Sequence, residues 1–378
     1  GLFFKGYKGH RCSSEELEAI IRKTVNSPAG VVNCVNVPCD FIDFVIKNYG
    51  SEKDDYGNLI PILQNPLHKT KKRGMLTETV RNPLPYRYIQ DLRQILCPLP
   101  DKHELSVIEQ NLRVGEDMLP AYHYRHFSDW TWAQDVDGIK NTGTGKDWFE
   151  VDPALLDKAD PDCVWRSKEV SRIPKGGKSK ILTTIHQIWS PVSAMVIFMK
   201  LHLPLRTYQV RMLDSGEADT WRYAQGQWKL NDKHGFRLGN EKRPFGKGVF
   251  RRILDTMIDQ YSTGLYINTN KSADQNKDEL ERGYLIPWQH EEVLYWLEKL
   301  RNWQEKYNPI EEPCDCTTLL KTHTGNKKSQ RQLAQMGHIS FLFRDASSVQ
   351  GENKNKPIHM SKLPSMWYQL LLALENQL

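Results

Sequence analysis

Apolar positions recur with helical spacing in several separate stretches. "YRYIQDLRQIL" lines up Tyr88, Leu92, Ile95 and Leu96, and "QHEEVLYWLEKLRNWQEKYNP" lines up Val293, Leu297, Leu300, Trp303 and Tyr307 before Pro309 stops it. In "SSEELEAIIRKTV", Ser13 or Ser14 caps a helix whose first turn is acidic. "IHQIWSPVSAMVIFMKLHL" carries Ile188, Val192, Met195, Val196 and Met199 at helical spacing and predicts a buried helix from about residue 186. Pro204 interrupts it, so Leu205 and Arg206 fall at a helix start or a tight turn. The period changes to two in "GLYINTN", with Leu265 and Ile267, and an extended run resumes at "YLIPW" after a polar connector; this predicts a hairpin with Lys271 where it turns. No repeat of fixed length is visible. The pattern predicts a mainly α fold with a small antiparallel β-sheet, α+β in class.

Three regions follow from the breaks in that pattern. Residues 1–75 end in the basic run Lys69, Lys71, Lys72, Arg73, which is either a set of phosphate contacts or a solvated linker. Residues 76–185 read as a small helical unit with Pro-bearing loops, closed by "SRIPKGGKSK", a Gly-rich hinge with Lys175, Lys178 and Lys180 as further phosphate contacts. Residues 186–378 hold the buried helix, the hairpin and the helices after it. Two lysine-glycine loops fail as nucleotide sites: "GGKS" has Arg172 where a P-loop needs its first glycine, and "GTGKD" has Lys140 there and Asp147 in place of the hydroxyl.

Composition narrows the chemistry only modestly. A chain of 378 residues, 39% hydrophobic and 26% charged, can bury a large core, and its net charge of +6 leans toward a polyanionic partner. Seven cysteines with no CxxC pair fit a reduced compartment rather than a disulfide framework or a zinc ribbon. "CDC" at 314–316 with His323 offers three metal ligands and no evident fourth, so no metal is expected. The longest apolar run is broken by Lys200 and His202 and is too short for a bilayer, and the N-terminal stretch is charged throughout; no membrane partner is expected.

One segment concentrates the remaining chemistry. "LPLRTYQVRMLDSGEADTWRY" places Arg206 just past the buried helix, with Gln209 three residues on. A guanidinium fixed there presents a fork that matches two phosphate oxygens and loses less entropy on binding than a lysine does. The other reading pairs this arginine with Asp214 or Glu217 in a structural network.

An arginine at a helix junction, a hairpin lysine about sixty-five residues later and further helices give the chain order of the tyrosine recombinase, or phage integrase, catalytic domain. The sequence most resembles integrases of the gamma-mobile-trio group, through "PLPYRYIQDLRQILCP", "FSDWTWAQ", "DWFEVD", "DPDCVWR", "IWSPV", the Arg206 segment, "INTNKS" and "WQEKYNPIEEP". The resemblance implies a helical core-binding domain followed by a partial catalytic domain. Arg206 corresponds to the first catalytic arginine and Lys271 to the hairpin lysine that protonates the leaving 5′ oxygen, with Gln209 standing where such enzymes carry glutamate. It implies transesterification through a 3′-phosphotyrosine with neither metal nor cofactor, on double-stranded DNA, by a homo-oligomer working with other proteins of a bacterial mobile element, in the cytoplasm at the nucleoid. The departures are an H-x-x-R and a nucleophilic tyrosine expected after the hairpin. The sole H-x-x-R, "HGFR" at 234–237, lies before it; no tyrosine follows "MGHIS" at short spacing, and Tyr368 reads as part of a core helix. With no starting Met and an end in a helical pattern, the expectation is a fragment that is inactive alone. A non-catalytic DNA-binding accessory protein on the same scaffold is the rival reading, and an interaction protein with Arg206 and Lys271 merely paired to carboxylates is a third.

Overall fold

The computed structural model describes residues 13–55, 57–69, 84–96, 130, 147–173, 179–256, 259–269, 282–288, 290–348 and 351–378. The chain divides into two compact units, residues 1–83 and 84–378.

In the first unit, α1 (Ser14–Arg22) starts in a capping box: the Ser13 hydroxyl accepts from the Glu16 amide and the Glu16 carboxylate accepts from the Ser13 amide. Helix α2 (Pro28–Tyr49) begins with proline behind the Ser27 cap and buries Val31, Val35, Cys39 and Ile46. A short hairpin follows, β1 (Ser51–Lys53) against β2 (Leu59–Pro61).

The second unit opens with α3 (Tyr86–Leu96), buried through Leu92 and Leu96 as its spacing predicts. Next comes an antiparallel sheet in the order β3 (Trp148–Val151), β5 (Ile181–Trp189), β4 (Trp165–Arg172). This corrects the helical reading of the stretch up to 185. β5 runs through position 185 and the buried helix starts only at Val192, while the glycines read as a hinge, Gly176 and Gly177, lie outside the described residues.

That helix, α4 (Val192–His202), is buried on every face from Val192 to Met199, because α3, α5, α6 and α9 pack around it. After α5 (Thr207–Arg211) come the hairpins β6–β7 (Trp221–Ala224, Gln227–Leu230) and β8–β9 (Gly239–Asn240, Arg243–Pro244). A three-stranded sheet then forms from β10 (Phe250–Asp255), β11 (Gln260–Ile267) and β12 (Tyr284–Ile286). The expected hairpin is its β11–β12 half, with Leu265 opposite Ile286; β10 is an addition. Helix α6 (Glu291–Tyr307) is capped by His290 and buries the predicted stripe. Short pieces β13 (Cys314–Asp315), α7 (Lys321–Thr324), α8 (Gln330–Ala334) and β14 (His338–Ile339) lead to α9 (Leu363–Gln377).

One large core joins α3, α4, α6 and α9 to the sheets, with Trp130, Trp148, Trp189, Trp296 and Trp303 inside it. Cys314 and Cys316 pack in a smaller apolar cluster with Met212, Leu333 and Phe341. Tyr368 sits on a packed helix but is 68% exposed, so it is not a core side chain. No helix among the described residues is long and apolar enough to cross a membrane. The fold is mixed α+β, with several small antiparallel sheets.

Candidate active site

The chain leaves α4 through exposed Pro204, and Arg206 takes an extended conformation as the N-cap of α5. Its amide donates to Gln209 Oε1 at 3.0 Å, which closes the first turn. Gln209 Nε2 donates to the Thr269 carbonyl at 3.1 Å and to the Tyr284 hydroxyl at 3.2 Å, at the end of β11 and the start of β12. Asn268 Nδ2 donates to the Met212 carbonyl at 2.5 Å. Both ends of α5 are therefore tied to the foot of the β11–β12 hairpin. Lys271 lies outside the described residues. Arg206 and the hairpin, sixty-odd positions apart in sequence, are thus neighbours. Arg206 is exposed, and its guanidinium makes no ion pair among the described residues.

The far end of α5 is fixed by Arg211, which is fully buried. Its Nε donates to the Ile358 carbonyl at 2.5 Å and its Nη2 to the His323 carbonyl at 2.8 Å. Burial pushes its pKa down to about 10. The residue after Ile358 is His359, where the chain enters α9, so α5 links the Arg206 turn to a histidine-bearing turn. His359-Met360-Ser361-Lys362 is H-x-x-K, one exchange from the motif sought in the sequence, and a search that required arginine passes over it. His359 Nδ1 accepts from the Ser361 amide at 3.1 Å, which puts the ring proton on Nε2. Burial, with Arg211 nearby, lowers its pKa. The Lys362 ammonium is taken by Asp345 and Ser347, each at 2.7 Å.

The polar run behind Arg206 is structural, but its partners are not those foreseen. Glu217 pairs with Arg344 at 2.6 Å with both side chains fully buried, and it also accepts from the Ser215 hydroxyl. Asp219 accepts from the amides of Lys247 and Gly248, and Asp214 from those of Gly216 and Ser340. Burial raises the pKa of both, and Asp219 raises Asp214 further. Arg222 forms two hydrogen bonds to Glu305, at 2.6 and 2.8 Å. "HGFR" is absorbed into the same network: His234 Nε2 lies 3.1 Å from Glu305, and Arg237 donates to the Asn231 carbonyl.

Glu217, His234 and Glu305 are close enough to hold a cation among themselves. Arg344, Arg222 and Lys233 already neutralise those carboxylates, so a metal there would face three cationic side chains. His323 turns its Nδ1 to the Leu320 amide and does not join Cys314 and Cys316. A recess of about 60 Å³ between Asn268, Thr269, Arg282 and Met336 has room for a water or two, not for a nucleotide.

Of the basic residues read as phosphate contacts, Lys69 is held by Asp40 at 2.6 Å and Asp43 at 3.5 Å, and Lys180 is exposed. Lys71, Lys72, Arg73, Lys175 and Lys178 lie outside the described residues.

No curated protein matches the chain, and no solved structure does. A family model described as "Putative integrase" matches residues 11–119 and 106–317, most of the sequence. The chain belongs to that integrase family.

Proposed function

We propose that this chain belongs to a site-specific recombinase of a bacterial mobile element of the gamma-mobile-trio kind, an enzyme that exchanges a DNA phosphodiester for a 3′-phosphotyrosine; the chain itself supplies the phosphate clamp and the proton donor, and the tyrosine nucleophile is not assigned to any of its residues. The observation that carries this reading is the Gln209 bridge. It ties the Arg206 turn to Thr269 and Tyr284 at the foot of the β11–β12 hairpin, which supports reading Arg206 as a phosphate clamp acting with a proton donor from that hairpin.

The roles follow from the chemistry of each group. The Arg206 fork neutralises two non-bridging oxygens as charge builds in the pentacoordinate state. Lys271 protonates the departing 5′ oxygen. His359, with its proton on Nε2, donates a hydrogen bond to a non-bridging oxygen; its turn is tied through the Arg211 side chain to the far end of the helix that Arg206 caps. Lys362, tied to Asp345, positions this turn. Gln209 is the residue that favours the second reading, a DNA-binding accessory protein, because it lacks the charge that buttresses the arginine in recombinases.

The test is covalent trapping on nicked duplex with the protein as its host makes it. Arg206→Ala lowers adduct formation by roughly 100-fold or more and leaves duplex affinity within a few-fold. Equal losses in both would make Arg206 an affinity residue. Lys271→Ala recovers on a substrate with sulfur in place of the leaving 5′ oxygen, since a thiolate leaves without a proton. His359→Ala lowers cleavage at unchanged affinity. An accessory protein would bind duplex and form no adduct at all.

A further inference from the structure

The β4–β5 pair is a cationic ribbon that the site described above does not use. β4 pairs with β5 along its whole length, from Trp165 opposite Ile188 to Arg172 opposite Ile181. β3 covers only His186–Trp189 of β5, so from Ile185 outward the sheet is two strands wide. On that outer part Lys168, Glu169, Ser171 and Arg172 are exposed on one strand, and Ile181 to Thr184 on the other. Residues 165–180 carry Arg166, Lys168, Arg172, Lys175, Lys178 and Lys180 against Glu169 alone, a net +5 beside +6 for the entire chain. Side chains alternate faces along a strand, which puts Arg166, Lys168 and Arg172 on one face. Arg166 is engaged with Gln187 and lies over the Trp148 ring, and Arg172 is paired with Glu150. Lys168 and Lys180 make no ion pair among the described residues. Near the end of the ribbon Ile173, Ile181 and Leu182 are 56%, 51% and 68% exposed.

Charge on an edge strand commonly serves to block strand-to-strand aggregation. That role does not account for three large apolar side chains at the end of the ribbon, which work against it. Cationic flanks with an apolar end match a DNA groove. The major groove admits a two-stranded ribbon, phosphates line both its rims, and thymine methyl groups give apolar side chains something to pack on. We infer that the β4–β5 ribbon enters the major groove of duplex DNA, with Lys168 and Lys180 on phosphates and Leu182, on the exposed face opposite Ile181, against base edges. This assigns a docking arm to the DNA-binding reading above and rests on it.

The test measures affinity of the full chain for a mixed-sequence duplex several helical turns long, at a series of salt concentrations. The double variant Lys168→Gln/Lys180→Gln lowers the slope of log affinity against log salt by about 2, one unit or slightly less for each phosphate that is no longer neutralised. Leu182→Ser weakens binding several-fold and leaves the slope unchanged. A steep wild-type slope that the double variant does not alter overturns the ribbon assignment and leaves the integrase reading standing. A wild type with no salt-dependent duplex affinity overturns both. Tighter binding to anionic lipid vesicles than to duplex, abolished in the same variants, would also overturn the arm and make the ribbon a membrane contact. All three positions are exposed, so an unchanged thermal transition confirms that the variants fold.

Discussion

At the residue scale the buried charges control stability. Arg344 and Glu217 are both wholly buried, and Ser215, Phe341 and Asn308 complete their hydrogen bonds. Such a pair adds little over well-packed apolar groups, yet removing one partner strands the other. Arg344→Met should therefore cost about 3–5 kcal/mol, and adding Glu217→Leu should restore part of it; denaturant midpoints of the two variants check this. His323 gives a dependence on pH. Burial, then Lys356, Arg211 and His359, push its pKa down to about 4 from 6.5. The unfolded histidine takes a proton that the folded one refuses, so its contribution is complete above pH 6.5 and is lost as pH falls toward 4. It amounts to up to about 3 kcal/mol. His323→Gln, whose side-chain oxygen can still accept from Leu320, should flatten unfolding free energy against pH in that window. An unchanged slope would assign the acid sensitivity to other groups.

The departure at position 209 becomes intelligible one level up, among the elements. A glutamate could accept from the Arg206 amide as Gln209 does, but it has no N–H to donate to the Thr269 carbonyl or the Tyr284 hydroxyl. An amide is what this hairpin foot requires. Gln209→Glu should set a carboxylate against a carbonyl, cost about 1–3 kcal/mol and loosen the β11–β12 foot; faster hydrogen exchange at the ends of those strands, with α6 unaffected, is the expected result. The legible elements were those with a cap signature, an apolar stripe or a two-residue alternation in the sequence. α1 showed its cap, α3 and α6 their stripes, and β11 its alternation. β4 and β5 gave no such signal, because the outer ribbon is exposed on both faces and has no apolar side to mark its period. The lysine-flanked glycines then read as a hinge. The place of Arg206 at a helix start and the β11–β12 hairpin were legible through Pro204 and the two-residue alternation. The Glu305 partner of "HGFR", about seventy residues away, and the Arg211 tie to Ile358 are three-dimensional facts that no local pattern carries.

For the whole molecule, the two compact units make separate demands. Among the described residues, the large core draws only on positions from Leu92 onward, whereas those of residues 1–83 bury a short apolar list, Val31, Val35, Cys39, Ile46 and Leu67. A unit of that size is marginal, so the full chain should unfold in two steps, the smaller unit first. Residues 84–378 expressed alone should keep the upper transition within a few degrees; its collapse would show that the units fold as one. The same truncation divides the proposed DNA contacts. Arg206, the hairpin and the ribbon all lie in the larger unit, and of the basic run Lys69, Lys71, Lys72 and Arg73 the first is already paired with Asp40 and Asp43. If that run supplies the smaller unit's phosphate contacts, three leave with it, and the salt slope of duplex binding should drop by about 3. Loss of the entire slope would move the principal DNA surface to the N-terminal unit and reduce the ribbon to an edge guarded by charge.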